Sequence, residues 1–123
     1  MSGNKFVADT NVIVHHLNGS KNIEAILECS ILFVSAITYA ELPASSKLSP
    51  TEIKIVKEYL SMLQIVHTNE FICETAAGIR RSSKVKLPDA IVAATCFYLD
   101  IPLLSLDRDF DKIDNLKIIK PLI

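Results

Sequence analysis

Lys5-Phe6-Val7-Ala8-Asp9-Thr10-Asn11-Val12-Ile13 runs a short apolar segment into an acid and on into a helical pattern. Lys5 to Ala8 reads as a strand that ends at Asp9. A helix through Val12, Ile13 and Leu17 follows and stops near Asn18-Gly19. Downstream the alternation repeats. Asn22 to Glu28 is predicted as a second helix, and Ile31-Leu32-Phe33-Val34 is a continuous apolar run, as expected of a strand buried on both faces. Ser35 opens a helix carrying Thr38 and Glu41. Ser49-Pro50-Thr51-Glu52 has the Ser cap, early Pro and returning Glu of a capping box. Behind it Ile53, Val56, Leu60 and Leu63 recur at spacings of 3, 4 and 3, one apolar helix face.

The second half continues in the same way. Gln64 to His67 is a short strand, Asn69 caps a helix to about Ser82, and Pro88 opens a helix that is apolar nearly all round and therefore central. Leu103 to Leu106 is a strand, Asp109 to Ile113 a helical turn, and Lys117 to Ile119 the last strand. Strands alternating with helices imply an α/β domain, a parallel sheet with helices on both faces. No repeat or Pro/Gly/Ser-rich linker divides the chain, so residues 1–123 are expected to form a single domain.

Composition narrows the function. Half of the residues are apolar, 22% are charged and three are Gly, which suits a packed core and not a disordered chain. Thirteen basic against fourteen acidic residues leave a net charge of −1, so bulk charge does not attract nucleic acid or membrane. Any such contact needs a local patch or a bound cation. Cys29, Cys73 and Cys96 form no Cys-x-x-Cys pair, which excludes zinc ribbons and thioredoxin-like sites. They are expected as buried free thiols in a reducing compartment. No secretory leader and no apolar run near the roughly 18 residues of a membrane span is visible, so a cytoplasmic protein without membrane contact is expected.

In parallel sheets ligands bind beyond the carboxyl ends of the strands. That rule selects four acids: Asp9 after the first strand, Glu41 soon after the second, Asp89 at the start of the apolar helix, and Asp107 after Leu103–Leu106. Each has a bland alternative. Asp9 suits a helix cap, Thr38-x-x-Glu41 matches a capping box, Pro88-Asp89 is a good first turn, and Asp107 and Asp109 suit a turn. Four carboxylates on one rim repel one another unless a cation holds them, and oxygen donors suit Mg²⁺ or Mn²⁺.

Phe6-Val7-Ala8-Asp9-Thr10-Asn11-Val12-Ile13, Ser35-x-x-Thr38-x-x-Glu41-Leu42, Leu87-Pro88-Asp89-Ala90-Ile91-Val92-Ala93-Ala94 and Leu104-Ser105-Leu106-Asp107-Arg108-Asp109-Phe110 together resemble the PIN domain. The nearest subgroup is the VapC-type ribonuclease toxins of toxin–antitoxin modules. The resemblance implies a single PIN-like domain with a five-stranded parallel sheet. It also implies a Mg²⁺- or Mn²⁺-dependent endoribonuclease that acts on RNA, forms a homodimer and is blocked by an antitoxin protein. By motif match Asp9, Glu41, Asp89 and Asp107 take the metal and catalytic positions, with Thr10, Asn11, Thr38 and Ser105 as the polar groups behind them. Pro43 after Glu41-Leu42, and Ser105 where Thr is commoner, depart from the pattern. Asp107, Asp109 and Asp111 all remain open as the acid that completes the site.

Other features are weighed against this. Arg80, Arg81, Lys84 and Lys86 place four positive charges within seven residues just before Asp89. They read either as a solvated helix end or as RNA-phosphate contacts. His15 and His16 have no acid or Cys at ligand spacing and read as surface residues, and His67 ends a strand without a visible partner. Scattered Tyr39, Tyr59 and Tyr98 make no base-stacking platform. The chain lacks the second acid of an Asp-x-Asp phosphohydrolase, since Asn11 stands there, and the acid pair of a receiver domain. A PIN-like module that only binds nucleic acid or protein is the alternative to the enzyme. The second helix and the Ile53–Leu63 helix are the candidate dimer stripes.

Overall fold

Five parallel strands order as β3-β2-β1-β4-β5 in the computed structural model, which describes residues 4–122. The strands are β1 (Asn4–Ala8), β2 (Ser30–Ser35), β3 (Gln64–Val66), β4 (Leu103–Leu104) and β5 (Ile118–Ile119). The helices are α1 (Thr10–Leu17), α2 (Lys21–Leu27), α3 (Ala36–Glu41), α4 (Pro50–Ser61), α5 (Glu70–Ser83) and α6 (Leu87–Leu99). Two 3₁₀ turns, Leu42–Ala44 and Arg108–Lys112, complete the set. The expected α/β sheet of five parallel strands with helices on both faces is what forms.

Side-chain alternation along β1 builds two cores. Phe6 and Ala8 point to one face and pack with Val12, Ile13, Ile23, Val56 and Leu60 of α1, α2 and α4. Val7 points to the other and packs with Ile72, Ala76, Ala93 and Phe110, from α5, α6 and the second 3₁₀ turn. Adjacent Leu103 and Leu104 divide between the same two faces. As expected, α6 is central, with Ala90 and Val92 to Cys96 all buried.

Strand order sets where the site lies. From β1 the chain moves outward to β2 and β3, then crosses back to β4 and continues to β5 on the other side. The carboxyl ends of β1 and β4 are therefore the topological switch point, where connections leave in opposite directions and open a crevice. The Asp9 amide donates to Leu104 O at 3.0 Å, which ties the two strand ends together.

Local expectations hold where capping decides them. The Ser49–Glu52 box is present in both directions, and Asn69 Oδ1 caps α5 through the Ile72 amide. Elsewhere the structure corrects the reading. Ser35, not Thr38, caps α3, so Thr38-x-x-Glu41 is not a capping box; Pro43 ends the α-helix and passes it into a 3₁₀ turn. The strand predicted over Leu103–Leu106 stops at Leu104. Cys29 and Cys73 are exposed, and only Cys96 is buried. Val56 and Leu60 of the Ile53–Leu63 stripe are buried and Ile53 and Leu63 half-buried, so the exposed apolar residues there are Ile55 in α4 and Met62 just after it, neither of them in the stripe. His16 is not a free surface residue: its Nδ1 lies 2.7 Å from the Tyr59 hydroxyl. Among the described residues no helix is long and apolar enough to cross a membrane.

Candidate active site

Asp9 closes β1, caps α1 and is 7% exposed. A buried carboxylate needs donors, and it has two. Oδ1 accepts from the Thr10 amide at 2.8 Å, and Oδ2 accepts from the Ser105 hydroxyl at 2.8 Å. The Ser105 oxygen in turn accepts from the Asp107 amide at 3.0 Å. One fully buried hydroxyl thus links the acid of β1 to the acid that follows β4. Ser105→Ala should cost about 1–3 kcal/mol, because Asp9 then keeps its charge with one donor lost. Chemical denaturation at neutral pH measures it; an unchanged midpoint would show that the link carries no weight.

The other expected residues gather on the same crevice. Asp89 stands in the first turn of α6 after Pro88, half-buried. Glu41 ends α3, and its Oε1 accepts from the Thr10 hydroxyl at 3.0 Å. Thr38 is buried behind this pair, its hydroxyl 3.4 Å from that of Thr10. Asn11 Oδ1 accepts from the Leu106 amide at 3.3 Å, bracing the chain just before Asp107. A cleft of about 440 Å³ results, with Asp9, Glu41, Asp89 and Asp107 in its walls and Thr10, Asn11, Val14 and His15 lining it from α1.

One acid joins that the sequence left undecided. Carboxylate oxygens of Asp89, Asp107 and Asp109 lie within 4.8 Å of one another. Asp107 Oδ1 accepts from the Asp109 amide at 2.9 Å, so a single turn presents both. Asp111, by contrast, pairs with Lys120 at 2.6 Å. His15, read from the sequence as a surface residue, also belongs to the cleft. Its position one turn beyond Asn11 on α1 was the available signal.

The acids crowd one another. Burial above all pushes the Asp89 carboxyl up to about 6, with further upward pushes from Asp9, Asp107, Asp109 and Glu41. Burial also raises Asp9; the Ser105 and Thr10 hydrogen bonds oppose this, and repulsion from Asp107 and Glu41 adds to it. An all-oxygen donor set in which burial and repulsion hold one member above its ordinary range fits a hard divalent cation. Asp89, Asp107 and Asp109 could supply its ligands directly, with Asp9 and Glu41 on the adjoining wall. Before Asp89 in the chain, Arg80 and Arg81 lie in the last turn of α5, Lys84 turns the chain at φ 55°, and Lys86 occupies the position before α6. All four are exposed, and among the described residues none is in an ion pair.

Known proteins share this frame. Ribonuclease VapC2 of Methanocaldococcus jannaschii is 25% identical over 143 aligned positions, spanning 98% of this chain and 96% of that protein. A toxin–antitoxin complex from Klebsiella pneumoniae contains a chain that superposes with a TM-score of 0.80 at 25% identity, covering 94% of this chain and 96% of its own. A chain of VapBC2 from Rickettsia felis, solved with a promoter DNA fragment, superposes at 0.84 and 19% identity, covering 95% and 98%. The PIN domain family model matches residues 6–116, from the first buried position of β1 to beyond the Asp107–Asp109 turn, and the chain belongs to that family.

Proposed function

We propose that this protein is a metal-dependent endoribonuclease, the toxin of a toxin–antitoxin pair, whose cation is Mg²⁺ or Mn²⁺ held among Asp9, Glu41, Asp89 and Asp107. The observation that carries the reading is the convergence of these acids, with Asp109, on the crevice between β1 and β4. A cation bound there supplies activation of a water and charge neutralisation at the phosphodiester. The chain's own residues do the rest. Ser105, Thr10, Thr38 and Asn11 fix the acids and the turn that carries Asp107. Arg80, Arg81, Lys84 and Lys86 offer unpaired positive charge to RNA phosphates just outside the cleft.

Similarity to a ribonuclease and to a chain of a toxin–antitoxin complex supports the enzyme and its partner. An antitoxin has a seat in an apolar groove of about 400 Å³ lined by Val14, Leu17, Leu42, Leu48 and Ile55, which shares Val14 with the acidic cleft. A homodimer belongs to the same reading. With the α4 stripe turned inward, the apolar surface available for it includes Leu87 and the exposed pair Phe71 and Tyr98, ring centroids 5.7 Å apart. A cytoplasmic setting accords with an RNA substrate.

The test is cleavage of single-stranded RNA with Mn²⁺ or Mg²⁺ against chelator. Cleavage should stop in EDTA and return with the cation. Because Asp89 holds a proton up to about pH 6, cation affinity should fall as pH drops through that value. Full-rate cutting in EDTA contradicts the reading.

A further inference from the structure

The cleft is not acidic throughout. Its α1 wall presents Val14, 41% exposed, and His15, half-buried, in the same cleft as the carboxylates. The two adjacent histidines differ sharply. His16 has its ring engaged by Tyr59, both through the 2.7 Å hydrogen bond and edge-on at 5.4 Å between centroids. Among the described residues the His15 ring has no hydrogen-bond partner and no carboxylate within ion-pair distance. Its backbone is nonetheless fixed, since His15 O accepts from the Ser20 amide at 3.0 Å where α1 ends. A held backbone carrying an uncommitted aromatic ring in a cleft wall is prepared for something outside the chain.

We propose that His15 and Val14 form a nucleobase subsite, which seats one base of the RNA strand next to the bond that is cut. This rests on the ribonuclease reading and assigns the α1 wall of the same cleft. A phosphate is the wrong occupant there. Asp9, Glu41, Asp89 and Asp107 repel any phosphate not held by the cation, and the unpaired basic run lies on α5 and the segment joining it to α6, not on α1. A base is uncharged, and it meets at His15 the face of an aromatic ring to stack on, with the Val14 methyls beside it. Single-stranded RNA is commonly read in this way, by stacking unpaired bases on aromatic side chains.

The experiment uses the full chain with Mn²⁺ and a short single-stranded RNA whose one cut site has been mapped. An abasic nucleotide is placed at each position in turn. One position flanking the cut should raise KM about tenfold in wild type, the size expected for a lost base–aromatic contact, with kcat little changed. His15→Ala should raise KM on intact RNA to the same degree and show no further rise on that abasic substrate. His15→Phe should restore most of the affinity, because it keeps a ring on which the base can stack. The subsite is overturned if no flanking base matters, if the His15→Ala and abasic effects multiply, or if His15→Ala lowers kcat with KM unchanged. Should His15→Ala fail to fold, the wild-type abasic series and His15→Phe still decide. A wild-type protein that cuts no RNA overturns the nuclease reading and the subsite together, whereas cutting without base dependence overturns the subsite alone.

Discussion

Asp89→Asn is expected to cut RNA cleavage by more than about a hundredfold while raising the melting temperature of the metal-free protein. The loss follows from ligand chemistry: groups that merely orient a metal ligand are worth about 10–100-fold, and Asp89 is itself in the cluster. The gain follows from its surroundings. Burial and four neighbouring acids hold the folded carboxyl at about 6, against an ordinary value of 3.8. Folded protein therefore keeps a proton that unfolded chain has released, so this group's contribution to stability is full below about pH 4 and is lost as pH rises through 6. Removing the charge relieves that penalty at neutral pH. Because Asp89 is half-exposed, water screens much of the shift, and about 1 kcal/mol, or roughly 4 °C, is expected. The advantage of the Asn variant should shrink to nothing as pH falls from 7 to 4. Asp9→Asn should lose activity equally but gain less stability, since Asp9 already has two donors and an amide nitrogen on the Oδ2 side would face the Ser105 oxygen. Thermal melts across that pH range, beside cleavage rates, check both variants; an active Asp89→Asn protein contradicts the assignment.

The largest stability effect is expected at Phe110. This ring is fully buried, yet it belongs to the five-residue 3₁₀ turn that follows Asp107, not to a long helix or strand. It anchors the acidic turn by packing into the core beneath α5 and α6. Phe110→Ala removes that anchor and leaves a cavity, at a cost of about 3–5 kcal/mol, a large part of the total stability of a domain this size. Asp107 and Asp109 lie three residues and one residue before the anchor, so RNA cleavage should fall beyond what the unfolded fraction explains. Urea denaturation and cleavage measured where the variant is still folded separate the two effects. A cost below about 1 kcal/mol would show that the turn holds itself.

What the sequence revealed follows the range of the forces involved. Asp9 and Asp89 were legible because each sits where a local rule places it, at the end of an apolar run and in the first turn behind Pro88. The strand–helix alternation likewise depended on short-range patterning. Asp107 was expected on this crevice and lies there, but behind a strand two residues too long, because the apolar Leu103–Leu106 pattern continues past the last position of the strand ladder. The choice among Asp107, Asp109 and Asp111 was not legible: it depends on the 3₁₀ turn and on Lys120, which draws Asp111 away. His15 was missed for a related reason. The exposed face of α1 becomes a cleft wall only when the end of α3 and the start of α6 close around it, and nothing local to His15 announces them. Cys29 and Cys73 show the limit of residue type as a guide to burial, since both are exposed.

The most direct measurement is anomalous scattering from Mn²⁺ in crystals of the wild-type protein, collected beside crystals of Asp89→Asn treated identically. Wild type should show a Mn²⁺ peak in the crevice between the ends of β1 and β4, within coordination distance of carboxylates from Asp89 and the Asp107–Asp109 turn, and Asp89→Asn should lose it. A wild-type crevice without a peak in crystals of protein that cleaves RNA in Mn²⁺, or a peak bound elsewhere on the chain, would contradict it.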